Sequence, residues 1–164
     1  MNLKLLLPLI AISCSYNRMT MKTITKNNMT VSWEIRSDTL YVEAFAPTEG
    51  WVAIGLNTDD QLQGTNLIMG CVIKGEVFIE DHYIRRPGDH LPIISLGGKD
   101  ALQHRTGKED ALGTTIRFQL PLKAVDKFHL HLEACKAYYL LMAYSQEDDF
   151  NHHSMMRTSV KIIL

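Results

Sequence analysis

The histidines, methionines and cysteines are the residues of this 164-residue chain with the chemistry to hold a metal or a cofactor. His129 and His131 stand two apart, a spacing at which two positions on one strand face can share a metal. They alternate with Phe128, Leu130 and Leu132, which read as buried, so the pattern predicts a strand from residue 127 onward with both histidines facing solvent. Met69, Met155 and Met156 supply thioethers that, together with imidazoles, suit copper. Asp59-Asp60 and Glu147-Asp148-Asp149 gather carboxylates without the spacing of a calcium loop, and they read as solvated turns. Ser154 follows His153 directly, but neighbours in sequence seldom face one another and no GxSxG elbow is present, so no hydrolase set emerges.

Cysteine usage narrows the redox chemistry. Cys14, Cys71 and Cys135 form neither a CxxC nor a CxxCH motif, so a thioredoxin-like centre and thioether-linked haem both lack their signature. Cys71 and Cys135 could pair in an oxidising compartment, and the plainer reading is two buried free thiols acting as small apolar residues. Lys and Arg total 17 against 18 Asp and Glu; that balance gives no basic surface for a phosphate backbone, and nucleic acid is not expected as a partner.

The N-terminus has the layout of an export signal. Lys4 precedes an apolar stretch over residues 5–12, and Ala11-Ile12-Ser13-Cys14 ends it with small residues before a cysteine. The stretch is shorter than the roughly 20 residues needed to span a bilayer. Its ending resembles a bacterial lipobox, with Cys14 as the lipidated residue, and an ordinary cleaved secretory signal is the alternative. The domain reading is therefore a signal over 1–14, a polar tether over 15–28 and one folded domain over 29–164, anchored to the membrane through lipid in the bacterial cell envelope, periplasm or outer membrane.

The elements that must position any site are strands. Val31, Trp33 and Ile35 alternate with polar residues, and Leu40, Val42 and Ala44 do so after the Ser37-Asp38 turn, predicting a hairpin. Residues 51–56 are almost wholly apolar, as a strand covered on both faces should be. Residues 67–73 and 76–84 read as a second hairpin around Lys74-Gly75, and residues 85–110, rich in Gly and Pro, as loops with one or two short strands. Thr114 to Leu120, residues 138–144 and residues 160–164 complete about nine to eleven strands with no amphipathic helix between them. That rhythm predicts an all-β, immunoglobulin-like antiparallel sandwich.

The run Gly50-Trp51-Val52-Ala53-Ile54-Gly55-Leu56 resembles the GWVAIGF-type strand of DOMON domains. In order after it come Asn66-Leu67-Ile68-Met69-Gly70, similar to the strand carrying that family's haem-ligand methionine, and Glu80-Asp81-His82-Tyr83, similar to its acidic-aromatic strand. Phe118-Gln119-Leu120-Pro121-Leu122 resembles its proline-leucine turn, and Met142-Ala143-Tyr144 followed by His152-His153-Ser154 and Arg157 resembles the segment supplying the ligand histidine. The resemblance covers about residues 33–164. It implies a b-type haem held without covalent links by Met69 and by His153, with His152 as second choice; as a further expectation from the residues themselves, the apolar neighbours Trp51 and Leu67 would wall the ring and the cation of Arg157 or Lys161 would meet a propionate. Such an iron has no open position, so the resemblance implies a module that passes single electrons to an unidentified redox partner protein and is not itself an enzyme. A sugar- or other small-ligand-binding DOMON module without haem, and a copper-binding protein, are the alternatives.

Overall fold

Two hairpins open the domain, and their turns are set by backbone chemistry. The computed structural model describes residues 21–164. Strand β1 (Lys22–Lys26) turns into β2 (Met29–Arg36) through Asn27 and Asn28, both at positive φ (48° and 65°). A two-residue turn with both centres left-handed matches the twist of the strands it joins, and asparagine tolerates that conformation. Lys74 and Gly75 (53° and 83°) do the same between β5 (Asn66–Ile73) and β6 (Glu76–Arg86).

β2 and β3 (Thr39–Ala46) pair antiparallel, and β4 (Val52–Asn57) begins the second sheet. After β6 come β7 (Asp89–Pro92), a single 3₁₀ turn (Ile93–Leu96), β8 (Gln103–Asp110), β9 (Gly113–Pro121), β10 (Ala137–Tyr144) and β11 (Met156–Ile163). One sheet has the order β1-β2-β3-β9-β8 and the other β11-β10-β4-β5-β6-β7. All pairings are antiparallel. This is the predicted all-β sandwich, with eleven strands among the described residues.

The core lies between the sheets. Val31, Trp33, Leu40, Val42, Ile116, Phe118 and Leu120 from the first sheet meet Val52, Ile54, Leu56, Ile68, Leu140 and Met142 from the second. Each fully buried side chain of this size contributes roughly 1.5–3 kcal/mol. The six-stranded sheet also has a buried outer face, formed by Trp51, Ala53, Leu67, Met69, Cys71, Ile84, Leu141 and Ala143, against which Leu62 and Phe150 pack from loops. Central strands covered on both faces lose the polar alternation, which is why β4, β5 and β10 read as continuous apolar runs.

Three expectations are corrected. The tether reading extended to Asn28, whereas Lys22–Lys26 is an edge strand; Thr23 and Thr25 meet Ser32 and Thr30 at 2.9 Å through their hydroxyls, Ile24 packs on the core, and flanking lysines guard the open edge. The strand expected from residue 127 is instead a turn-rich crossover, because Asp126 Oδ1 accepts the Phe128 N–H (2.9 Å) and the His129 ring N–H (2.7 Å), curling the backbone. Of the two cysteines expected to be buried, Cys71 is, but Cys135 is exposed in a turn at φ 63°, and both are free. Residues 1–14, with Cys14 and the leader reading, lie outside the described residues.

Candidate functional site

Register places five side chains in one row across the outer face of the six-stranded sheet: Arg157, Ala143, Ala53, Met69 and Glu80, from β11, β10, β4, β5 and β6. Two alanines side by side leave a low floor, at whose far side the Met69 side chain stands. Two residues further along each strand, Leu141 and Leu67 form the next apolar row on the same face. Above this floor is a cleft of about 120 Å³, bounded below by Trp51, Ala53, Leu67, Met69, Ile84, Leu141 and Ala143. Its rim comes from two directions: Gly88, Asp89 and His90 at the β6–β7 turn, and Asn151, His152, His153 and Ser154 between β10 and β11. Met69 is 2% exposed and belongs to the outer cluster, away from the space between the sheets.

The structure thus brings Met69, Trp51, Leu67, His152, His153 and Arg157 to one cleft. Lys161 is not among its lining; it sits across from Tyr139, its ammonium 6.0 Å from that ring's centroid. The resemblance implied a single histidine ligand, His153 with His152 as second choice, and an extended segment would turn the two side chains to opposite faces. Residues 150–152 instead turn, with the His152 N–H donating to Asp149 O at 2.9 Å, so both imidazoles reach the rim. Met155 is exposed, and Met156 packs against the inter-sheet core, so neither supports Met69 in a copper set.

The rim segment is tied to the floor at its start. Trp51 N–H donates to Glu147 O and Ser145 N–H to Trp51 O, each at 3.0 Å, and Ser145 Oγ donates to His153 O at 3.2 Å. Trp51, 3% exposed, has its indole N–H buried without an acceptor among the described residues. Cys71 lies on the same face, and burial, with Asp148, Glu109 and Glu80 nearby, pushes its thiol up to about 12, so it stays protonated.

Two polar clusters escaped the sequence reading. On the outer face, His82 Nδ1 and His90 Nδ1 lie 3.0 Å apart, and His82 Nε2 donates to Glu80 Oε2 at 2.9 Å. Burial, then the neighbouring His82, lowers the His90 pKa against a smaller opposing effect of Asp89. On the inner side, His129 is the correction to the solvent-facing expectation: its side chain is 5% exposed, with Nε2 at 2.9 Å from Asp81 Oδ2 and Nδ1 at 2.7 Å from Asp126 Oδ1. Carboxylate oxygens only accept, so both ring nitrogens carry hydrogen and the ring is an imidazolium. Burial opposes that charge, but the hydrogen bonds and charges of Asp81 and Asp126 outweigh it and raise the His129 pKa. His131, by contrast, is exposed.

A pH dependence follows. With the folded pKa of His129 above its ordinary 6.5, the stabilisation is fully present below about pH 6.5 and is lost as pH rises through the folded value. His90, shifted the other way, opposes this, so the difference between wild type and His129→Gln isolates it. We expect the gap in thermal midpoint between the two to shrink steadily above neutral pH; a gap independent of pH between 5 and 9 would contradict the imidazolium assignment.

Residues 25–145 match the DOMON domain. The chain belongs to the DOMON family. The DOMON match spans the cleft floor, the β6–β7 turn and both polar clusters. MOXD1 homolog 2 of Drosophila melanogaster is 30% identical over 99 residues, which is 60% of this chain and 13% of that protein. DBH-like monooxygenase protein 2 of Mus musculus is 28% identical over 132 residues, 80% of this chain and 20% of that protein. This DOMON chain therefore spans a fifth or less of the length of either relative. Among solved structures, the cytochrome b domain of pyranose dehydrogenase from Coprinopsis cinerea superposes with a TM-score of 0.65 at 8% identity, covering 88% of this chain and 81% of that one, a likeness of fold. These two relatives are animal proteins, so the bacterial reading of the leader gains no support from them.

Proposed function

We propose that this DOMON domain is an electron-transfer module, not a catalyst, that holds a b-type haem in the cleft between Met69 and the 151–154 rim. The observation that carries the reading is that a thioether on β5 and two imidazoles more than eighty residues later line one cleft with an apolar floor. The donor set fits the group, because thioether sulfur and imidazole nitrogen are both iron ligands in cytochromes. The orphaned Trp51 indole N–H offers a buried donor at the same cleft. Ligand sites for small molecules usually enclose roughly 300–1,000 Å³; at about 120 Å³ this cleft takes a flat macrocycle only when the rim segment lifts. That segment's hydrogen bonds to the floor lie at Ser145 and Glu147, so admitting the macrocycle requires residues 148–152 to lift and Phe150 to leave its packing on the outer cluster.

When bound, haem supplies a reversible one-electron couple. The chain's own residues define its setting. Met69 would hold the iron from the floor, His153 from the rim with His152 as alternate, and the Arg157 guanidinium at the cleft edge would meet a propionate. Thioether ligation by Met69 would favour the ferrous form relative to two nitrogens, and the apolar floor of Ala53, Ala143 and Leu67 would keep water from the group. The exposed rim is where a redox partner protein would dock. The export reading of residues 1–14 places the domain outside the cytoplasm, lipid-anchored through Cys14 or released.

Titrating the full chain with haemin tests this. The expected result is saturable binding at one equivalent, with a low-spin Soret band that shifts on reduction and a resolved α-band. Met69→Leu and His153→Ala should each convert the spectrum to a high-spin form. A wild-type protein that stays colourless overturns the haem reading and leaves a DOMON module for a sugar or other small ligand; an unchanged spectrum in either variant overturns that ligand.

A further inference from the structure

Beside the cleft is a second hollow of about 330 Å³, lined among others by Cys71, Glu80, His82, His90, Asp148 and Phe150. It opens over the part of the outer face where His82 of β6 and His90 of β7 meet. We propose that His82 and His90 form a binding site for a divalent transition metal ion, with Glu80 as the positioning residue. The reading uses neither Met69 nor His153; His90 lines both hollows, so the site adjoins the cleft but does not depend on haem being bound there.

The geometry carries it. An imidazole ligand almost always donates its other ring N–H to a carboxylate or carbonyl, which fixes its tautomer and orientation. Glu80 Oε2 accepts from His82 Nε2 at 2.9 Å, so the lone pair of His82 is on Nδ1, and that atom is aimed at His90 Nδ1, 3.0 Å away. Two nitrogens each about 2.0–2.1 Å from one ion, at angles between square-planar and tetrahedral, are about 2.8–3.4 Å apart. The ion replaces the Nδ1–H···Nδ1 hydrogen bond between the rings: the single ring hydrogen of neutral His90 moves from Nδ1 to Nε2, leaving the Nδ1 lone pair of each ring for the ion. His82 is buried and stacks edge-on to Phe150 at 6.0 Å between centroids, so one ligand is already immobilised. Asp148 lines the same hollow with Oδ1 buried and without a hydrogen-bond partner among the described residues, an acceptor suited to an aquo ligand of a cation. No set of three or more metal-binding side chains is assembled among the described residues, so water completes the coordination. Imidazole ligands and the order of stabilities select Cu²⁺ over Zn²⁺ and Ni²⁺.

The test uses the full chain, stripped with chelator and titrated with Cu²⁺ without haem. The expected result is one equivalent bound, with nitrogen hyperfine structure from two imidazoles in the electron paramagnetic resonance spectrum. His90→Gln, on the half-buried short strand, and His82→Gln should each lower the affinity at least tenfold, and Glu80→Ala by roughly 10–100-fold, with circular dichroism confirming the fold. Met69→Leu and His153→Ala should bind as the wild type does. Failure of the folded wild type to bind stoichiometrically overturns the site, as does full affinity in His90→Gln or any loss in His153→Ala.

Discussion

Asp81→Ala is expected to destabilise the domain by about 3–5 kcal/mol and to lower its thermal midpoint by roughly 6–20 °C. Asp81 is 4% exposed and accepts three hydrogen bonds: from Asn66 Nδ2 at 2.6 Å, from the Ala101 N–H at 3.1 Å and from His129 Nε2 at 2.9 Å. Its removal leaves the Ala101 N–H without its acceptor, takes one of two acceptors from the Asn66 amide, and strips the buried imidazolium of one of its two carboxylates, leaving only Asp126; the half-paired buried charge dominates the cost. Through these bonds the crossover around His129 and the segment around Ala101 are fastened to β6, and Asp126 adds the Lys99 N–H at 2.7 Å. The double variant Asp81→Leu, His129→Leu should recover part of the loss, since it buries neither charge alone. A single variant as stable as the wild type would show that the junction is solvated.

Gly50→Ala should have the second-largest effect, and it reaches the cleft. A Cβ at Gly50 would stand 2.5 Å from the carbonyl carbon of Gln146 and 2.5 Å from the nitrogen of Glu147. Both contacts are with backbone, so they are relieved only by moving the start of the rim segment away from β4. That movement strains the paired bonds between Trp51 and residues 145 and 147. The expected cost is about 1–3 kcal/mol, accompanied by a loss of haemin affinity of at least tenfold, because His152 and His153 ride on the displaced segment. Unchanged stability together with unchanged affinity would mean that this anchor does not position the rim.

Most of the sandwich was legible because its central strands announce themselves through burial. Val31-Trp33-Ile35 and Thr114-Ile116-Phe118-Leu120 alternate, and β4 is apolar from Val52 to Leu56 since sheet core lies on one side of it and the cleft floor on the other. Lys22–Lys26 was illegible as a strand because its partners, not its own composition, make it one: its hydroxyls and Ile24 are complementary to β2. Alternation misled at Phe128, Leu130 and Leu132, where the decisive interactions are side-chain bonds of Asp126 and Asp81 to His129, the latter spanning 48 residues. Periodicity carries no trace of such bonds. The residues gathered at the cleft, Met69, Trp51, His152, His153 and Arg157, were reachable through the order of family-like segments, whereas His90 sits in a Gly- and Pro-rich stretch with no motif around it and enters only by its place across from Ile84.

The most direct measurement on the central claim is the red-edge absorption of the haemin-loaded ferric protein, where a sulfur-to-iron charge-transfer band reports a thioether on the metal. The band should be present in the full chain and absent in Met69→Leu, with haemin still bound. A loaded wild-type protein without it would contradict ligation by Met69 and, with it, the cleft as a cytochrome site.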